Sequence, residues 1–101
     1  MKTIAIASLT LVLSTTAYAA DGAALYKAKC ASCHGADGAG QSPMGKKMNL
    51  RDLGSAAVQK QTDADLYAWT ADGKNKMPGY KTKLSDPEIK ALVAHMRSMK
   101  R

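Results

Sequence analysis

At 101 residues, with 15 Lys+Arg against 8 Asp+Glu and a net charge of +7, the chain has room for one small domain. That length excludes the Rossmann and barrel architectures, which need more chain. Phe is missing, and past the first twenty residues the aromatics are Tyr26, Tyr67, Trp69 and Tyr80, too thin a set for a self-sufficient core. Domains of this size usually carry a staple.

The N-terminus has the layout of an export signal. Met1-Lys2 is a positive start, Thr3 to Leu13 carry no charge, and Ala17-Tyr18-Ala19 has the small-x-small pattern of a cleavage site. We expect residues 1–19 to be a secretory signal peptide, removed to leave one domain over 20–101 in the periplasm. The competing reading, a membrane anchor, needs roughly 20 apolar residues where this run has about 10.

The first expected helix follows. Asp21 is placed to cap it, and it runs over 22–33 with Lys27 and Lys29 outward. It ends in Cys30-Ala31-Ser32-Cys33-His34. In an oxidising compartment two cysteines would usually read as a disulfide, but three more specific readings compete here. A thioredoxin-type dithiol needs a βαβ surround, which the pattern lacks. Zinc needs four ligands, and the remaining His95 leaves the set incomplete. Covalent haem attachment is the reading that C-x-x-C-H favours. On a helical turn Cys30 and Cys33 are i and i+3, so both thiols face one way. Each can form a thioether with a haem vinyl group, while His34, at i+4, can reach the iron.

From Gly35 to Gly54 repeated glycines and Pro43 predict a loop, with a weakly signalled helix somewhere in 50–60. Thr62-Asp63-Ala64-Asp65 has capping-box spacing and starts a helix that Gly73 stops. Residues 74–84 form a second loop around Met77-Pro78. Ser85-Asp86-Pro87-Glu88 opens a last helix, with Ile89, Leu92, Val93 and Met96 on one face and Lys100-Arg101 at the negative end of its dipole. No sustained alternation predicts a strand. The expectation is an all-α fold of three to four short helices and long loops, wrapped around one large cofactor.

A second axial ligand is sought among Met44, Met48, Met77, Met96 and Met99. Met77 stands out because Pro78 biases it toward extended backbone, which holds a flexible thioether on a defined stretch. Met44 and Met48 remain as alternatives by distance along the chain. Met96 and Met99 belong to the last helix, where packing accounts for them.

Cys30-Ala31-Ser32-Cys33-His34, then a capped helix and Gly73, then Met77-Pro78-Gly79-Tyr80 and an amphipathic C-terminal helix: this order resembles the class I c-type cytochromes, in particular the small bacterial single-haem members. The resemblance implies one haem c bound through Cys30 and Cys33, His34 and Met77 as axial ligands, and electron transfer rather than catalysis. It also implies that Gly22 and Tyr26 on the first helix meet the last helix, where His95 replaces the usual aromatic. It implies a Pro carbonyl, with Pro43 the candidate, accepting the proximal histidine N–H. Trp69 and Thr70 fall where aliphatic residues are usual; core packing is the default for Trp69, with packing on the haem or a hydrogen bond from its indole N–H as the alternatives.

Lys27, Lys29, Lys46, Lys47, Arg51, Lys74, Lys76, Lys81 and Lys83 crowd the segments near the expected haem. They suit docking to acidic redox proteins, the electron donor and acceptor. No nucleic-acid recognition motif accompanies them. The leading expectation is a soluble periplasmic electron carrier, a monomer that touches membrane redox complexes peripherally at most. The alternatives are a small haem subunit of a dehydrogenase or oxidase complex, or a peroxidase or gas-binding protein if the sixth ligand is labile.

Overall fold

The computed structural model describes Thr3 and residues 21–101; the expected signal peptide otherwise lies outside the described residues. Six helices run in chain order: α1 Gly22–Lys29, α2 Ala31–His34, α3 Pro43–Met48, α4 Ala56–Gln59, α5 Asp63–Asp72 and α6 Asp86–Arg97. Among the described residues the only strand-like pairing is an isolated antiparallel bridge between Lys74 and Met77. The all-α expectation holds, with more helices than the three to four anticipated, two of them single turns of four residues.

Local chemistry explains each start. Asp21 accepts from Ala24 N at the head of α1. Capping boxes open α5 (Thr62 with Asp65) and α6 (Ser85 with Glu88), each satisfying two otherwise unpaired N–H groups. The expected helix over 22–33 breaks at Cys30, which ends α1 and precedes α2. The expected loop 35–54 contains α3. There Ser42 caps from outside and Pro43 occupies the first turn, where a missing N–H costs nothing. Counting Pro43 as a breaker hid this helix start.

The last helix also ends earlier than expected. α6 stops at Arg97, and the Arg101 backbone N–H donates to the Gly54 carbonyl. The Arg101 guanidinium bridges Asp37 and Asp52, so it ties the C-terminus to the 35–54 segment instead of extending a helix.

α1 crosses α6, and the crossing is close because Gly22 lies directly on the Ala91 carbonyl; any Cβ there would collide with it. Tyr26 and His95 then stack at the same crossing, ring centroids 5.0 Å apart and tilted by 47°. The expected interhelical contact is thus present, with His95 as the ring on α6. The core is divided. One cluster joins Tyr26, Cys30, Ala71, Leu84, Ile89, Leu92 and Met96; the other is only Val58, Leu66 and Val93. Burying side chains such as Ile89 and Leu92 contributes about 1.5–3 kcal/mol each. Two clusters this small leave the space between them to be filled.

Candidate functional site

That space is a cleft of about 840 Å³. Tyr26, Cys30 and Met96 from one cluster and Val58 and Leu66 from the other reach it, and so do Cys33, His34 and Met77. All four sequence-predicted site residues therefore face one cavity.

The cysteine turn is held from several directions. Cys33 N and His34 N both donate to the Cys30 carbonyl, at 3.3 and 3.0 Å, which winds the turn and sets the i, i+3, i+4 relation. The Tyr26 hydroxyl donates to the Gly35 carbonyl at 2.6 Å. Ser42 Oγ donates to the Cys33 carbonyl at 2.6 Å while accepting from Gly45 N at 2.9 Å. Gly40 N donates to the His34 carbonyl at 2.8 Å. Cys30 and Cys33 are not joined to each other in a disulfide. Burial, then the neighbouring Cys33, pushes the Cys30 thiol up to about 11. Burial lowers the His34 pKa, which keeps the imidazole in the neutral form that binds metals.

His34 Nδ1 is buried with no hydrogen-bond partner. The Pro43 carbonyl therefore does not accept from it, contrary to expectation. Ser42, which sequence reasoning passed over, is the residue that joins this turn to α3. Its signal was legible: a Ser-Pro pair is a common way to begin a helix.

Met77 sits on a turn built by backbone. Lys74 N donates to the Met77 carbonyl at 3.1 Å and Met77 N to the Lys74 carbonyl at 3.0 Å. Tyr80 N and Lys81 N reach back to the carbonyls of Thr70 and Ala71, each at 3.0 Å. Gly73, at φ +70° and ψ 177°, makes the bend; that region is essentially restricted to glycine. Met48 also lines the cleft, whereas Met44 does not and is 47% exposed. His95 does not line it either. Thr70 is buried, and its hydroxyl is satisfied by the Leu66 carbonyl at 2.9 Å. Trp69 lines the cleft and belongs to neither buried cluster, as packing on the bound group would have it.

The competing chemistries find no support. Among the described residues no three His, Cys, Asp or Glu side chains converge to hold a metal ion, and no βαβ unit surrounds the thiols. A large, mostly apolar group with a metal centre fits better. It would join the two halves of the core, take both thiols, and give the orphaned imidazole a task. A second groove of about 540 Å³ between α5 and α6 has its rim charges already paired, Asp63 with Arg97 and Asp86 with Lys90.

Comparison with known proteins decides the family. A sequence profile described as "Cytochrome C oxidase, cbb3-type, subunit III" matches residues 17–96. The chain is 36% identical over 105 residues to a protein named cytochrome c6 from Synechococcus sp., covering 95% of this chain and 91% of that one. It is 35% identical to the cytochrome c6 of Leptolyngbya boryana, covering 77% and 88%.

The chain belongs to the cytochrome c family.

A solved structure titled "KustC0563 c-type cytochrome" superposes with a TM-score of 0.74 at 34% identity, covering 80% of this chain and 99% of that one. The cytochrome is a small electron carrier and not an enzyme; the relatives named cytochrome c6 do not favour an oxidase subunit or a peroxidase. Its cofactor is one haem c, and its two cysteines stand in the CxxCH arrangement for covalent attachment. Among the described residues no helix is long and apolar enough to cross a membrane.

Charge around the cleft is one-sided. Lys29, Lys47, Arg51, Lys74 and Lys76 line it, and no Asp or Glu does. The acids are engaged elsewhere. Asp21, Asp65 and Glu88 cap helices, and Asp37, Asp52, Asp63, Asp72 and Asp86 pair with Arg or Lys. Of the lysines singled out in sequence, Lys81 is bound to Asp72, and Lys27, Lys46 and Lys83 stand away from the cleft.

Proposed function

We propose that Cys30 and Cys33 form the two thioethers, that His34 and Met77 are the axial ligands, and that residues 20–101, freed of the signal peptide, work as a periplasmic monomer. It passes single electrons between acidic redox proteins, with peripheral contact to membrane redox complexes. The observation that carries this reading is the convergence of these four side chains on one cleft. Bound haem c supplies a one-electron ferrous/ferric couple. His34 presents a neutral imidazole, and the cap and hydroxyl contacts around its turn limit how far it can move. Met77 offers a soft, uncharged thioether, which favours the ferrous state and raises the potential. Val58, Leu66 and Met96 give the cleft an apolar wall that keeps water away.

The ligand assignment is tested by the optical spectrum of the ferric protein. A weak band at its red edge reports an Fe–S(Met) bond. Met77→Ala abolishes that band and Met48→Ala retains it; the reverse pattern would make Met48 the ligand. The partner assignment is tested by stopped-flow electron transfer across ionic strength. Exposed charges are screened beyond roughly 8–10 Å at ordinary salt, so the second-order rate with an acidic protein falls steeply as salt rises. Changing Lys47, Arg51, Lys74 and Lys76 to Glu flattens that slope or reverses it. A flat profile in the unaltered protein leaves the charge a role in solubility alone.

A further inference from the structure

The two proposed axial ligands come from different parts of the chain. His34 ends α2, and Met77 lies on the turn after α5. The Met77 turn is fixed to α5 by its backbone. Tyr80 N and Lys81 N donate to the Thr70 and Ala71 carbonyls, and Gly79 lies so close to the Asp72 carbonyl that a Cβ would collide with it. The cysteine turn is instead bonded to α1, through Cys30 N on the Tyr26 carbonyl and the Tyr26 hydroxyl on the Gly35 carbonyl. Among the described residues one hydrogen bond joins the segment 73–84 to the segment 21–54: the Tyr80 hydroxyl donates to the Lys29 carbonyl at 3.1 Å. No ion pair among them does so. Both residues line the cleft. Lys29 immediately precedes Cys30, and Tyr80 is three residues past Met77. The Tyr80 backbone is held on both sides, because its carbonyl also accepts from Lys83 N at 2.9 Å and Leu84 N at 2.8 Å. Leu84 shares a core cluster with Tyr26 and Cys30, but apolar contact has no direction, whereas a hydrogen bond does.

We propose that Tyr80 is a positioning residue for Met77: its hydroxyl latches the Met77 turn to the carbonyl beside Cys30 and so keeps the thioether within reach of the iron. This rests on the Met77 ligand reading and adds what holds that ligand in place. The turn fixes Met77 relative to α5, whereas His34 is fixed relative to α1, and axial ligation needs both positions at once. Groups that orient a ligand in this way tune the metal without touching it. Without the latch, the spacing between the two ligands is left to packing alone. A turn that swings away opens the sixth position, and an outside ligand captures that open form with an apparent affinity that scales with its population. Removing one hydrogen bond raises such a population about five-fold. Tyr26 supplies the contrast. Its hydroxyl also donates to a backbone carbonyl, but to Gly35 within the cysteine side, so its loss costs stability without freeing Met77.

The test is a titration of the ferric, haem-loaded protein with imidazole, followed in the optical spectrum. The unaltered chain is compared with Tyr80→Phe, Tyr26→Phe, Met77→Ala and the double variant Met77→Ala/Tyr80→Phe. Tyr80→Phe is expected to lower the imidazole Kd about five-fold. Tyr26→Phe is expected to leave it within about two-fold, the scatter of such measurements. Once Met77 is replaced by Ala, no thioether remains for the latch to hold, so adding Tyr80→Phe leaves the Kd within the same scatter. An imidazole Kd for Tyr80→Phe inside that scatter overturns the proposal. So does an equal fall in Tyr26→Phe, which would mark a general loosening of the fold. A fall that persists in the Met77→Ala background overturns it too, because the effect of Tyr80 would then not run through Met77. The ligand reading fails separately, and the proposal with it, if Met77→Ala keeps the red-edge band.

Discussion

On the cysteine side of the cleft, side chains from distant positions reach in to hold the backbone: Tyr26 on Gly35, Ser42 on Cys33, and Arg101 on Asp37 and Asp52. On the methionine side the turn is held by its own backbone, through the Lys74–Met77 pair and the two bonds back to Thr70 and Ala71. Tyr80 adds one long-range bond, its hydroxyl donating to the Lys29 carbonyl at 3.1 Å. The difference follows the chemistry each side supports. In the proposed ligation, two thioethers and an imidazole within the five positions Cys30 to His34 need their directions fixed together. A single thioether on a flexible stem needs only a defined stretch of chain. The methionine side is therefore the one that yields first, and the two sides can be broken separately.

The largest effect is expected from the double change Cys30→Ala/Cys33→Ala. Without attachment the two small core clusters face each other across an unfilled cleft, and residues 20–101 lose most of their helix. Circular dichroism of the variant made without haem checks this; a cooperative thermal transition would show that the chain's own core suffices. Next is Gly73→Ala, which breaks only the methionine side. At φ +70° the new side chain is strained by about 1–3 kcal/mol, and its Cβ would lie 2.5 Å from the Met77 carbonyl. The red-edge band of the ferric spectrum should weaken or vanish while far-ultraviolet helix content stays. Retention of the band at full strength would mean the turn can re-form without glycine.

Tyr26→Phe sharpens the other half of the comparison. It removes the bond to the Gly35 carbonyl, worth about 1 kcal/mol, and lowers Tm by about 4–8 °C at neutral pH. Burial pushes the Tyr26 hydroxyl up to about 12 from its ordinary 10. Its contribution is therefore complete below pH 10 and is lost as pH rises from 10 to 12. The gap between the two proteins should close over that range, which thermal unfolding at a series of pH values checks. The smallest effect is expected from Arg101→Gln. Its ion pairs with Asp37 and Asp52 are largely exposed, and such pairs contribute about 0–1 kcal/mol and weaken with salt. The Tm difference should be a few degrees at most and shrink in high salt; a larger, salt-independent loss would assign the stabilisation to the guanidinium's hydrogen bond to the Asp37 carbonyl.

Much of this molecule is local and therefore legible in the chain. The capping boxes at Thr62 and Ser85 depend on side chains three residues apart, and the structure forms both. The Cys30, Cys33 and His34 spacing is also local, since one helical turn brings the three to one side. Glycine at 73 and proline at 78 bracket Met77 and mark its turn in advance. The apolar face of α6, Ile89, Leu92, Val93 and Met96, follows from period alone.

Other features needed the folded chain because they pair residues far apart. Nothing in its neighbours shows that Arg101 will reach Asp37 and Asp52, or that Ser42 will take the Cys33 carbonyl. The absence of any acid around the cleft could not be read from composition either. Of the eight acids, Asp21, Asp65, Asp86 and Glu88 are placed by local caps or an i, i+4 pair, but only packing puts Asp37, Asp52, Asp63 and Asp72 beside cations away from the cleft. Trp69 makes the same point. Its period on α5 suits the core as well as the surface, and only the folded chain puts it on the wall of the cleft. Short-range geometry is written into the order of residues, whereas which distant groups meet, and which surfaces are left uncovered, is settled only when the whole chain closes around the same volume.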